Sequence, residues 1–297
     1  IVSSRYIVEK IHCKRERCKM IDFITPTTRH QILEMWRICF GDSQPYYDIY
    51  FRERYKDENT LAFFVEDKVV ASLQLLHYTF TFCNTEIPVS YISGACTLPE
   101  ERKMGYMGAL LKRAFVEIEK RNVPLSLLVP EEKWLLDFYN KYGYAQTFDP
   151  GADLISLKDL MERHSDNLHS AYKEFDSLYR NKPMTVQKTF DDFRVVVEET
   201  AGYNYPIKKS LTGMTRVIDA EFMLGLFAEK YPDKSFSIEV TDEILPENNL
   251  FLAINSGDVS HTDVKHSIHH LQLDVYDLAQ ALLGYKTSEN EELFEDV

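Results

Sequence analysis

No stretch of the 297-residue chain approaches the roughly 18 consecutive apolar residues that a membrane-spanning helix requires. Positive charge is also scarce: 34 Lys and Arg face 47 Asp and Glu, a formal net charge of −13. Binding to a nucleic-acid backbone depends on basic side chains neutralising phosphates, so this balance argues against such a partner. The five cysteines, at 13, 18, 39, 83 and 96, are odd in number and scattered. They form no disulfide framework, and a reducing compartment is expected. Residues 1–19 lack the apolar core of a secretory signal. The expectation is a soluble, cytoplasmic protein with no nucleic-acid or membrane partner.

What is present is ordinary globular composition, 44% apolar and 27% charged. The length allows two domains. The charge is uneven, with sixteen Asp and Glu against four Lys in residues 221–297, and a basic first stretch over 1–19. The chain begins at Ile1, and the natural domain is expected to begin near Met20, with residues 1–19 as an extension.

Periodicity predicts a helix from Thr28 to a stop at Gly41, carried by Ile32, Leu33, Trp36, Cys39 and Phe40, and a second helix over 44–55. Strands are expected over 61–65, 69–82 and 87–98, the last two forming a hairpin about Asn84-Thr85. A helix follows over 105–121, then a short buried strand over 124–129 and a helix over 131–142 that Gly143 stops. Further on, a polar helix is read over 159–182 and a strand over 186–199. A helix capped by Asp219 is expected over 219–229, strands near 235–240 and 250–255, and a last helix over 274–283 ended by Gly284.

Chemistry concentrates in Ala95-Cys96-Thr97-Leu98-Pro99-Glu100-Glu101-Arg102-Lys103-Met104-Gly105-Tyr106-Met107-Gly108. A strand end, a basic glycine-containing loop and a helix start in succession aim backbone N–H groups and the positive helix end at one place, which makes an anion site. Gly105 permits close backbone approach, and Gly108 is expected to keep the first turn open. An ordinary strand–turn–helix with incidental glycines is the plainer alternative.

This passage resembles motif A of the GNAT N-acetyltransferase superfamily, Arg/Gln-x-x-Gly-x-Gly/Ala. Arg102 and Gly105 match, whereas Met107 stands where the family usually has Gly or Ala. That departure suits the subgroup of enhanced-intracellular-survival acetyltransferases. Phe138-Tyr139-Asn140-Lys141-Tyr142-Gly143-Tyr144 is similar to the family's Phe-Tyr-x-Lys-x-Gly-Phe. Residues 214–224 (MTRVIDAEFML), 241–249 (TDEILPENN) and 277–285 (DLAQALLGY) look like the sterol-carrier-protein-like domain that ends the same subgroup. Those relatives insert a second acetyltransferase-like unit before that domain, and only about 55 residues are left for it here.

The resemblance implies an α/β (α+β) class: a GNAT acyl-CoA N-acyltransferase fold with a mixed, largely antiparallel sheet, plus a smaller C-terminal α/β domain. The expected boundaries are 1–19 for the extension, 20–158 for the acetyltransferase domain, 159–205 for a bridge and 206–297 for the sterol-carrier-like domain. It further implies acetyl-CoA as cosubstrate, held by Ala95, Cys96, Thr97, Arg102, Lys103, Met104, Gly105, Tyr106, Met107 and Gly108, with Tyr139 as the proton donor to the departing thiolate. The acceptor would be a small-molecule or peptide amine, read as cationic from the acidic C-terminal third, and a homo-oligomer is compatible with this. No metal is expected: Cys13 with Cys18, and His261, His266, His269 and His270 near Asp263 and Asp274, read as solvated or incidental. Cys96 reads as a small strand residue rather than a nucleophile. His77, Glu86 and Tyr91 are candidate general bases, and the chain's end at Val297 is not assigned the role that a terminal carboxylate can take in the subgroup. The competing reading is a catalytically weak ligand-binding or regulatory protein on the same shell.

Overall fold

The computed structural model describes residues 18–149, 156–180, 182–202, 212–263 and 269–285. Cys13, His266 and the acidic end at 289–297 lie outside the described residues. The chain opens with β1 (Lys19–Phe23), which the sequence reading did not anticipate, then α1 (Arg29–Cys39) and α2 (Gln44–Glu53). Strands β2 (Thr60–Val65), β3 (Lys68–Phe82) and β4 (Thr85–Thr97) follow as an antiparallel meander. Then come α3 (Tyr106–Lys120), β5 (Leu125–Leu128), α4 (Trp134–Asn140) and β6 (Ala145–Phe148). Gly143, at φ +77°, turns the chain after α4, one residue type for which that backbone costs little.

The polar stretch expected as one helix is two, α5 (Leu157–Arg163) and α6 (Leu168–Tyr179), each started by a side-chain cap, Ser156 and Asn167. The strand expected over 186–199 is mostly helix: β7 is Thr185–Gln187, and α7 runs Phe190–Ala201. A capping box explains the difference. Thr189 accepts from the Asp192 amide at 3.1 Å while the Asp192 carboxylate accepts from the Thr189 amide at 2.9 Å. The remaining elements are β8 (Gly213–Val217), α8 (Ala220–Lys230), β9 (Ser235–Thr241), β10 (Leu250–Asn255), β11 (Asp258–His261), β12 (His270–Asp274) and α9 (Val275–Leu282). Asp219 and Asp274 cap α8 and α9 through the amides of Phe222 and Asp277.

The large sheet runs β1-β2-β3-β4-β5-β8-β6, with β7 pairing the far end of β3. Only β4–β5 is parallel in it; every other described pair is antiparallel. Strand β8 therefore returns from beyond the bridge to sit between β5 and β6. The second sheet is β11-β10-β9-β12.

One face of the large sheet is covered by α3 and α4, through Leu110, Leu111, Phe115, Tyr139 and Tyr144. The other face is covered at one end by α1 and α2, with Ile32, Trp36, Tyr47 and Tyr50 packed on Ala62 and Phe64. At the other end α8, α9 and the small sheet share a core with Phe80, Val89, Leu125, Leu127 and Val217. The period-2 alternation of β2 explains the division: Leu61, Phe63 and Val65 face α3, whereas Ala62 and Phe64 face α1. Between the two covers on that second face a cavity remains.

Candidate active site

Strand β4 runs to Thr97, but its parallel pairing with β5 stops at Tyr91↔Leu127. Beyond Tyr91 the two strands separate, and the β4 edge over residues 92–97 is left open toward β5. A bulge sharpens this. Opposite β3 the register shifts between Ser72↔Cys96 and Gln74↔Ser93, which puts Gly94 and Ala95 against Leu73 alone. Gly94 sits at φ +56°, and a Cβ built there would lie 2.1 Å from Trp36 Cζ2. Only glycine fits, because α1 packs its indole directly on the bulge.

After Thr97 the chain makes a short turn over Pro99–Glu101 and enters the basic loop. Arg102, Lys103, Met104 and Gly105 are exposed, and the Arg102 guanidinium donates through Nε to the Thr97 carbonyl at 3.3 Å. Lys103 (φ +66°) and Gly105 (φ +80°) both take the left-handed conformation, curling the backbone around the start of α3. No side chain caps α3, and its first turn holds no acidic residue. Its leading N–H groups lack intrahelical acceptors by construction. Two cationic side chains and an uncapped helix start thus lie one turn from the open strand edge. This arrangement suits a phosphate anion.

Tyr106 is buried, stacked on Phe63 with ring centres 4.3 Å apart, and Lys19 Nζ lies 5.5 Å from its ring. It anchors the loop instead of facing solvent. Met107 is half-buried against the α3 core. The space expected beside Gly108 is filled: a Cβ there would lie 2.0 Å from the Tyr142 hydroxyl. Gly108 therefore lets the end of α4 pack on α3, which corrects the reading of an open first turn.

Cys96 is buried, and its hydrogen bond with Cys39 and its desolvation push the thiol well up. A thiol held protonated suits packing, not nucleophilic attack. Tyr139 is buried on α4, with burial chiefly, and Tyr91 in addition, pushing its phenol up to about 12. Tyr91 is likewise pushed up to about 12, by burial first and by Tyr78. Tyr139 belongs to the α3 face and Tyr91 to the opposite face, with Tyr91 near enough to disfavour ionisation of Tyr139.

Tyr91 opens into the cavity, about 320 Å³ in volume, which is lined by Tyr46, Tyr50, Arg54, Leu76, Tyr78, Tyr91, Ser93, Val186, Lys188 and Glu199. Arg54 is clamped by Glu199, Nε to Oε1 at 2.8 Å and Nη2 to Oε2 at 3.0 Å, and donates from Nη1 to the Tyr78 hydroxyl at 2.9 Å. Tyr50 donates to Gln74 Oε1 at 2.7 Å and lies 3.0 Å from Ser93 Oγ. Lys188 holds its ammonium 3.6 Å from the centre of the Tyr78 ring. Desolvation lowers its pKa to about 8.

Of the candidate bases, His77 accepts from Arg121 Nη1 at 2.9 Å and lines a neighbouring cavity of about 230 Å³; burial and Arg121 lower its pKa. Glu86 is ion-paired with Arg180 at 3.0 Å and lines neither cavity. Tyr91 alone of the three stands at the strand separation. Among the described residues, none beyond Glu199 lines the larger cavity. The acidic C-terminal third therefore does not form its wall among the described residues, contrary to the reasoning behind a cationic acceptor. The residues missed from sequence were Arg54, Tyr78, Lys188 and Glu199. Each comes from a different segment, and reading 186–199 as a strand hid the last two. No group of His, Cys, Asp and Glu among the described residues could hold a metal ion.

Residues 20–147 match the acetyltransferase (GNAT) domain family. This stretch is a GNAT acetyltransferase domain. Residues 223–297 match the sterol carrier protein domain family, so the chain joins the two. Solved structures share the whole fold. A probable N-acyltransferase from Enterococcus faecalis superposes with TM-score 0.61 at 16% identity, covering 94% of this chain and 93% of its own. A GCN5-related N-acetyltransferase from Anabaena variabilis gives TM-score 0.62 at 16% identity, covering 93% and 92%. Eis1 from Mycobacterium abscessus gives TM-score 0.60 at 14% identity, covering 92% of each. No curated protein matches the chain in sequence. In the GNAT domain the separated β4–β5 pair and the basic loop are one continuous feature, and no described helix is long and apolar enough to cross a membrane.

Proposed function

We propose that the protein transfers an acetyl group from acetyl-CoA to a primary amine by direct attack. The observation that carries this reading is the open β4 edge ending in an exposed Arg102–Gly105 loop and an uncapped α3. Arg102, Lys103 and the leading amides of α3 hold the pyrophosphate of the cosubstrate. Amides of the open edge near Ala95–Thr97 donate to the thioester oxygen and stabilise its charge during attack. Tyr139 gives its proton to the departing thiolate. A phenol held at about 12 stays protonated throughout the neutral range, so the donor is always loaded. The acceptor enters from the opposite face, through the tyrosine-lined cavity, and the proton it sheds on acylation leaves to solvent; Tyr91, its phenol likewise held at about 12, stays protonated and lines the entry instead of acting as a base.

A thiol-release assay with acetyl-CoA over a panel of primary amines tests this. Release that depends on an added amine is the expected result. Acetyl-CoA binding with no release on any amine would favour the competing view, a regulatory protein on the same shell. The sterol-carrier-like domain does not by itself assign lipid transport, since fold does not fix function. Its contribution here is packing: its core is continuous with the sheet face beside the cavity.

A further inference from the structure

The cavity opposite the open strand edge contains three charged side chains, and two of them cancel. Arg54 spends both forks of its guanidinium on Glu199 and Tyr78. Lys188 has no ion-pair partner among the described residues. The neighbouring carboxylate that helps to hold its charge, Asp192, is engaged in the Thr189 capping box. The ammonium rests on the Tyr78 ring at 3.6 Å, and Tyr78 meets Tyr91 edge-on with ring centres 6.2 Å apart. A desolvated cation without a counter-ion is costly, and an anionic ligand group arriving beside it would offset that cost. The far wall of the cavity is thus cationic, the near end carries Tyr91 where β4 and β5 part, and the space between is aromatic.

We propose that the acceptor is an aminocarboxylate, with its amine at the Tyr91 end of the cavity and its carboxylate bound by Lys188. This rests on the acetyltransferase reading and narrows it to a substrate class. Chemically, it means an ω-amino acid or an amino acid with an acidic side chain, whose two ends are separated enough to span the tyrosine-lined space. Lys188 acts as a binding residue and takes no part in the transfer.

The pH dependence follows from the groups around Lys188. These are Tyr78 and His77 on β3, Tyr91 on β4, Arg54 after α2, Arg180 after α6, and Asp192 and Glu199 on α7. Burial is the largest influence and lowers the ammonium; Arg54 lowers it further, while Asp192 and Glu199 raise it. A carboxylate binds the protonated form, so acceptor affinity is full below about pH 8 and falls as Lys188 loses its proton above it.

The test compares wild type, Lys188→Ala and Lys188→Arg in thiol-release kinetics. The probes are glutamate, aspartate and γ-aminobutyrate on one side, and spermidine and kanamycin on the other, with acetyl-CoA binding measured separately by titration calorimetry. Turnover is expected with the aminocarboxylates. Lys188→Ala should raise their KM by about tenfold or more with the KM for acetyl-CoA unchanged, a loss typical of a charged hydrogen bond. Lys188→Arg should keep binding but remove the rise in KM above pH 8, because a guanidinium does not deprotonate there. Turnover confined to spermidine or kanamycin, or an aminocarboxylate KM that Lys188→Ala leaves unchanged, would overturn the proposal. So would acetyl-CoA binding together with no response to any aminocarboxylate. Failure to bind acetyl-CoA would instead strike the acetyltransferase reading itself.

Discussion

Gly94, Gly105 and Gly108 sit within one loop-and-strand passage and are glycine for three different reasons. At Gly94 the indole of Trp36 occupies the side-chain space; at Gly108 the Tyr142 hydroxyl does; at Gly105 nothing lies within 4 Å and the φ of +80° alone makes the demand. Sequence spacing pointed to Gly105 and Gly108 because the loop is local, and its conformation is set by the chain itself. Gly94 was not legible in this way, since its constraint comes from a tryptophan 58 positions earlier. Tyr139 stood out in its motif, whereas the nearness of Tyr91, which lies on the other face, needed the fold. Its role gives a residue-scale prediction. Tyr139→Phe keeps the ring and its packing on Phe138 and Tyr144 while deleting the donor. Acetyl-CoA affinity should be retained and turnover should fall by ~10²–10⁴-fold. Unchanged turnover in steady-state assays would assign the proton to water or another group.

At the scale of elements, α7 shows where sequence reading failed and why it mattered. The consecutive valines at 195–197 favour a strand by propensity. Thr189 and Asp192 outweigh them by fixing a helical start at Phe190, five residues ahead of the run. Phe193 and Val197 then meet α5 and α6 in a small core, and the opposite side carries Arg194 and Glu198 to α2. Arg194 reaches Glu53 at 2.6 Å, and Arg52 reaches Glu198 at 2.5 Å. This network holds α7 against α2 and so positions Glu199 and the Lys188 segment at the cavity. Thr189→Ala removes the cap and should cost about 1 kcal/mol of stability. Because the cap lies beside Lys188, the acceptor KM should rise more than the acetyl-CoA KM does. Chemical denaturation together with the two KM values measures both effects, and an unaltered midpoint would show that the capping box does not support the wall. Helix α3 after the basic loop was read correctly because its apolar periodicity meets no competing signal, and α4 because Gly143 also marks its end.

Across the whole molecule, the large sheet and the small C-terminal sheet are tied together by a buried ion pair between β8 of the first and the end of β9 of the second. Arg216 on β8 is fully buried and places Nη2 2.8 and 2.7 Å from the two carboxylate oxygens of Asp242, which follows β9. Asp242 also accepts from Asn248 and from the amides of Ile244 and Leu245. The guanidinium lies over Phe115 at 4.5 Å, and it takes the space that a Cβ at Gly143 would need. The motif glycine after α4, the β8 strand and the C-terminal sheet therefore meet at one side chain. Arg216→Ala leaves Asp242 buried without its counter-charge and should cost about 3–5 kcal/mol. Replacing both partners with apolar residues of similar volume should recover much of that loss. Equal losses for the single and double variants, measured by urea unfolding, would contradict this account of the junction. The sequence fragments that contain Arg216 and Asp242 were recognised as matching a family, but their contact spans 26 positions and a strand insertion, and no local pattern encodes it.

The central claim is that the open β4 edge and the Arg102–Gly105 loop hold acetyl-CoA. Isothermal titration of acetyl-CoA into wild type and Gly105→Val tests it most directly. A side chain at Gly105 meets no neighbour, so the fold should persist, while the left-handed backbone becomes unfavourable by roughly 1–2 kcal/mol and the loop shifts. Wild type should bind with a dissociation constant between about 1 µM and 1 mM, the ordinary range for enzyme substrates. Gly105→Val should weaken that binding by about tenfold or more. An unchanged dissociation constant in a folded Gly105→Val protein, or no binding to wild type, would contradict the account.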